Sequence, residues 1–307
     1  MTSKQKNYTI QRSGRGRGAL CCLTVVALLS LLAGCVDSAD NPPAPDTPVR
    51  IAWGSGSQIL ISDYQKGAIH FRDSQTLALE RSLVIKGHPL AVGYAQGKIF
   101  VGNETTQCVE VYDSTSGAKL YTLGDGPGSI PLPNDLAIDE TSGRVFVTDS
   151  SGSRVAVFSL DGPLLYTITD SLLRQPISIV LDVAGEHLYV GNLGSEGSTP
   201  NVYGGNVLVF TVAGQFERSI AGDFTHPKGL TADAAGHLYL VDAILGQVLV
   251  FDTLTGLEVA RLGVVPSYGG QHKMPFDAVF DDGGQRILVT DYLLGKIETY
   301  AVTEVNP

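Results

Sequence analysis

From residue 48 onward the chain alternates short apolar runs with polar turns. The runs are rich in Val, Ile, Leu and aromatics and are bounded by Gly, Asp and Ser, which predicts β-strands. No segment in this part sustains an apolar period of 3.6, so no helix is expected there. Residues 132–158, LPNDLAIDETSGRVFVTDSSGSRVAVF, hold one copy of a pattern that recurs. A proline opens the first run at Pro48, Pro89, Pro133, Pro176, Pro227 and Pro275. Fourteen to sixteen residues later the second run closes on Asp63, Asn103, Asp149, Asn192, Asp242 or Asp291. The third run ends in an aromatic: Phe71, Tyr112, Phe158, Phe210, Phe251 or Tyr300. Self-similarity at this period marks a solenoid or a propeller.

A fourth run follows each aromatic after a turn such as DSTSG or SLDG, for example KLYTL and LLYTI. Four strands per copy describe a propeller blade, and radial packing of blades leaves only short edges open. The expected fold is all-β, a six-bladed β-propeller of four-stranded antiparallel blades over residues 48–302, with a tail at 303–307. Copy 6 ends after its third strand near Val302, so the last blade is expected to be incomplete. It would be three-stranded, or weakly completed by the segment before Pro48, where Pro42, Pro43 and Pro45 disfavour a strand.

HPKGLTADAAGHLYLVDAILGQVLVFD, residues 226–252, resembles the NHL-repeat propellers. IFVGNETTQCVEVYDSTSG, residues 99–117, is also similar to the related YVTN propellers. The resemblance implies the fold and leaves activity open, because such folds host unrelated functions.

The N-terminus changes the picture. Residues 1–34 carry Lys4, Lys6, Arg12, Arg15 and Arg17 and no acid, followed by an apolar stretch too short to span a bilayer comfortably. This reads as a signal peptide. Leu32-Ala33-Gly34-Cys35 resembles a bacterial lipobox, which implies lipidation (palmitate among the acyl chains) at Cys35. Residues 35–47 then form a polar, Pro-rich tether, long enough at ~3.1 Å per residue to hold the propeller roughly 35 Å from a membrane. The expected location is the bacterial cell envelope, facing periplasm or exterior. Val36 after the lipid cysteine resembles an outer-membrane sorting signal where two membranes exist.

Loss of residues 1–34 removes five bases and no acids, so net charge moves from −10 to −15. That balance argues against nucleic acid and is compatible with cationic ligands or Ca²⁺. Of four cysteines only Cys108 remains within the propeller, which leaves no internal disulfide and predicts an inert strand thiol.

A residue demanded in all six copies serves the blade, so functional candidates are the departures. The Asp or Asn after the second strand is expected to form turns, and Asp281-Asp282 before Gly-Gly reads as a hairpin turn. The departures gather on the face that carries the second-to-third-strand loops and the blade-to-blade connections. They include the copy 4 insertion around Tyr203, the connection around Tyr268, and the apolar residues Ile244, Leu245, Tyr292, Leu293 and Leu294. Long loops on a rigid scaffold carry binding. Contacts are therefore expected at Asn134, Asp135, Lys228, Asp277, Tyr203 and Tyr268, and the turn face is expected to lack a pocket.

PNDLAID, residues 133–139, resembles a motif of the gluconolactonase and senescence-marker propellers, which implies a divalent-metal role for Asn134, with Asp135 and Asp277 as further oxygens. Ile177, Lys228 and RIAW at 50–53 depart from that pattern. NHL-type amidating lyases suggest zinc on His88, His226 and His272. No cofactor is evident otherwise, with Ca²⁺ or Zn²⁺ as the candidates. The leading expectation is a lipid-anchored binding or assembly module for an unknown protein or small molecule. The alternative is a metal-dependent hydrolase or lyase at the axial mouth.

Overall fold

The computed structural model describes residues 7–12, 47–126, 129–194, 204–262, 274–280 and 286–305. Six antiparallel sheets of four strands surround one axis. Blade 1 runs from the axis outward as Pro48–Trp53 (strand a), Gln58–Asp63 (b), Ala68–Asp73 (c) and Leu79–Val84 (d). The other inner strands are Pro89–Ala95, Pro133–Asp139, Pro176–Leu181, Pro227–Ala232 and Pro275–Phe280. Each begins at the recurring proline, where a missing N–H costs the ladder nothing.

Strands b and c are apolar on both faces because each blade is covered on both sides by its neighbours. One apolar cluster fills each of the six spaces between blades, the last joining Leu288 and Val279 of blade 6 to Ile51, Ile59 and Ile61 of blade 1. The recurring aromatics lie inside these spaces, with Phe71, Phe158, Phe210 and Phe251 all at 1% exposure or less. Burying one such ring contributes about 1.5–3 kcal/mol. Where blades 2 and 6 carry Tyr instead, Tyr112 and Tyr300 hydroxyls donate to Glu110 and Glu298 two residues earlier. The lone thiol of Cys108 is buried, and burial pushes its pKa up.

The repeated turn-forming role expected of the Asp/Asn ring is visible in its contacts. All six side chains are buried. Asp242 is the fullest case: one oxygen accepts the amides of Ile244 and Leu245 in its own b–c loop, the other those of Thr225 and His226 entering the blade. Asp149 and Asn103 accept from Gly152 and Thr105 in the same way. These groups therefore fasten loops to strands.

The contiguous propeller chain supplies three strands to blade 6: Pro275–Phe280, Arg286–Asp291 and Lys296–Val305. The repeat thus ends on its third strand, as expected, and the outer position is taken not by residues next to Pro48 but by Asn7–Arg12, antiparallel to the third strand with Asn7 opposite Val305 and Arg12 opposite Tyr300. The segment NYTIQR has strand-forming Tyr, Thr and Ile and lies upstream of the prolines that disfavour residues 42–45. Cys35, most of the tether, Asp281-Asp282, Tyr203, Tyr268 and His272 lie outside the described residues.

Candidate binding site at the axial mouth

Every inner strand carries the same irregularity. Pro48 pairs with Asp63 and Arg50 with Ser62, so Val49 is left over as a bulge, and each other blade repeats this. A bulge re-aims side chains. Val49, Leu90 and Phe276 consequently line a mouth on the loop face, whereas Asp135 and Asp277, one residue further on, line a channel beneath it. The amide of the residue after the bulge finds a strand-b hydroxyl: Arg50 on Ser62, Asp135 on Thr148, Asp277 on Thr290.

Arg50 separates mouth from channel. Its side chain crosses the axis, and Nε donates to the Asn134 carbonyl at 3.1 Å. The two terminal nitrogens donate to the carbonyls of Lys228 and Ile177. Blade 1 is thereby tied to blades 3, 4 and 5 through three bulge carbonyls. Asp135 stands 3.5 Å from Nε and Asp277 3.7 Å from Nη1. The carboxylates also bridge blades, Asp135 accepting the Ile179 amide and Asp277 the Ile51 amide. Burial pushes Asp277 up to about 8, with Arg50 pulling down and Asp135 pushing up. Asp135 is raised too, burial outweighing the pull of Arg50. Burying two carboxyls around one guanidinium disfavours ionising both, and the neutral form is favoured most at Asp277.

Above Arg50 lies a cavity of about 240 Å³ lined by Val49, Tyr64, Leu90, Glu104, Leu132, Phe276 and Tyr292. The Tyr64 hydroxyl donates to Glu104 at 2.8 Å, and the His88 ring stacks on Tyr64 at 4.6 Å. Phe276 and Tyr292 lie 5.2 Å apart, and the Lys228 ammonium sits 5.4 Å from the Phe276 ring centre. Burial, then Arg50, pulls this ammonium down to about 8. Ile244, Leu245 and Leu293 are exposed on the same face.

Beneath Arg50 the channel has about 310 Å³ and extends past Val92, Leu136 and Leu230 toward Trp53, Ile138 and Leu181 at the a–b turns. A second turn-face cavity of about 410 Å³ lies between the a–b turns of blades 3 and 4. The expectation of a turn face without concavity does not hold. Turn length does not control this; the inner strands simply do not meet at the axis.

Of the sequence-predicted site residues, Asn134, Asp135, Lys228 and Asp277 all meet at Arg50, two through carbonyls and two through carboxylates. In the sequence Arg50 stands out only as the first residue of RIAW, a departure from the metal-binding pattern. Its signal was that it is the sole long side chain at a position otherwise held by Ala91, Asp135, Ser178, Gly229 and Asp277. The ring is a poor fit to a divalent cation. Hard cations need several free oxygens, and here the acidic oxygens face a guanidinium and accept backbone amides. Among the described residues no group of three or more His, Cys, Asp or Glu side chains is placed to hold a metal.

Residues 131–158 match the NHL repeat model. A chain of hydrazine synthase from Kuenenia stuttgartiensis is similar over 89% of this chain and 99% of that one, with a TM-score of 0.61 and 14% identity. At that identity the likeness concerns the fold. A search of curated proteins gave no match. The protein is a six-bladed β-propeller that carries an NHL repeat.

Proposed function

We propose that the protein is an extracytoplasmic, lipid-anchored propeller that holds a ligand or protein partner at the axial mouth of its loop face. The observation that carries the binding half is the loss of six-fold repetition there. Five blades could repeat one small residue at the axis, yet blade 1 supplies a buried arginine, blade 5 a lysine and blades 1 and 6 a group of aromatics. Concave sites with apolar walls and a few placed polar groups are where ligands bind. Arg50 favours this reading over a metal-dependent hydrolase, because it takes the position a cation would need.

The anchor half rests on the basic leader and the Leu-Ala-Gly-Cys motif. Processing at Cys35 would remove Asn7–Arg12, so the mature blade 6 would keep three strands. Replacing Cys35 by Ala should abolish acyl labelling and release the protein from the membrane fraction; unchanged retention would contradict the anchor. A photo-crosslinker at Leu293 on the mouth face should give specific adducts in intact cells. Adducts only from Asp161, on the turn face, would contradict the binding face.

A further inference from the structure

We propose that the axial mouth takes a small organic monoanion with a flat apolar body, its carboxylate held by the Lys228 ammonium and its body packed on Phe276 and Tyr292. This rests on the reading of the loop face as ligand-binding and names the class of ligand.

Three observations carry it. First, among the described residues the Lys228 ammonium has no carboxylate partner; its neighbours are the Phe276 ring, the like charge of Arg50 and the His226 imidazole, whose pKa the ammonium helps to lower. A cation held beside a second cation at a closed axis lacks the anion that burial demands. Second, the acids that could neutralise it are engaged elsewhere. Asp135 and Asp277 are on the far side of Arg50 and bound to amides, Asp242 is filled by four amides, and Glu104 accepts from Tyr64. Third, the cavity shares the Phe276 ring with Lys228 and is otherwise walled by Val49, Leu90, Leu132, Tyr64 and Tyr292 with Glu104, which suits a ring more than a hydrated ion.

The chain as a whole is acidic, with a net charge of −10. Surface charges are screened over about 8 Å at physiological ionic strength, whereas a partly buried pair of cations acts at contact. Local charge therefore decides the ligand. Glu104 lines the other side of the mouth, on blade 2 opposite blade 5, and limits the ligand to a single negative group.

The test uses the purified protein and three ring-bearing probes of equal size: benzoate, benzyl alcohol and benzylamine. Calorimetry should show benzoate binding at least about tenfold tighter than benzylamine. Lys228→Met, which keeps the stem over Phe276, should weaken benzoate by about tenfold or more and leave benzyl alcohol unchanged. Benzoate binding at pH 8 should take up protons, read from the heat in buffers of different ionisation enthalpy, because an anion raises the ammonium pKa. Tyr292→Ala should weaken all probes that bind. Preference for benzylamine, or benzoate binding that Lys228→Met leaves intact without proton uptake, overturns the ligand class while Tyr292 sensitivity preserves the mouth as a binding site. Absence of binding by any probe, or binding indifferent to Tyr292→Ala, overturns both.

Discussion

Two rings of side chains encircle the axis a few residues apart, and they behave in opposite ways. The ring of Asp63, Asn103, Asp149, Asn192, Asp242 and Asp291 does one job six times: each side chain is buried and accepts loop amides. The ring two residues after each proline does several jobs once. Arg50 crosses to three other blades, Asp135 and Asp277 brace it, and Ser178 donates to the Pro227 carbonyl of the next blade. Repetition thus marks what closes a blade, and departure marks what closes or opens the axis. The departures are also where a ligand finds unlike chemistry within reach.

The contrast can be broken most forcefully at Arg50. Arg50→Ala would leave three carbonyls without donors and two carboxyls without their cation. Removing one partner of a buried ionic group costs about 3–5 kcal/mol, read as a lowered midpoint in urea unfolding. An effect under 1 kcal/mol would show that the axis is wetter and less organised than the contacts imply.

Next comes a member of the uniform ring. Asp242→Ala strands four amides in the b–c loop and the incoming connection. About 2–3 kcal/mol should be lost, and Asp149→Ala should cost less because fewer amides depend on it. Equal effects of zero would contradict the fastening role.

In acid the smallest effect is expected from Asp277→Asn, and it grows with pH. The folded carboxyl is raised to about 8 from an ordinary 3.8, so its protonated form is favoured by folding. That contribution is full below pH 4 and is lost as pH rises from about 4 through about 8. Asn keeps an acceptor for the Ile51 amide and cannot ionise. The variant should match the parent at or below pH 4 and exceed it by a margin that grows steadily up to about pH 8 and is constant beyond it. A parent whose stability is flat across this range would contradict the raised Asp277 carboxyl.

How much of this was legible in the sequence follows from the same contrast. Pro133, Asp149 and Phe158 stand at spacings that recur six times, so blade boundaries, strand identity and the turn role of the Asp/Asn ring could all be read. Arg50 could not. Its acceptors lie 84, 127 and 178 residues away, and they are backbone carbonyls that carry no residue signature. The bulge after each proline also hides in a pattern of ordinary length, although it decides that Phe276 and Asp277 face different compartments. The outer strand Asn7–Arg12 was obscured because its β-forming residues sit inside a basic leader whose charges suggest another role.

The central claim is that an arginine, and not a metal ion, organises the axis below the binding mouth. Elemental analysis of the purified protein, after exposure to Ca²⁺ and Zn²⁺ and removal of excess, addresses it directly. The account predicts far less than one ion of either metal per chain, with no change on replacing Asp135 and Asp277 by Ala. One retained ion per chain that disappears with those two substitutions would contradict it.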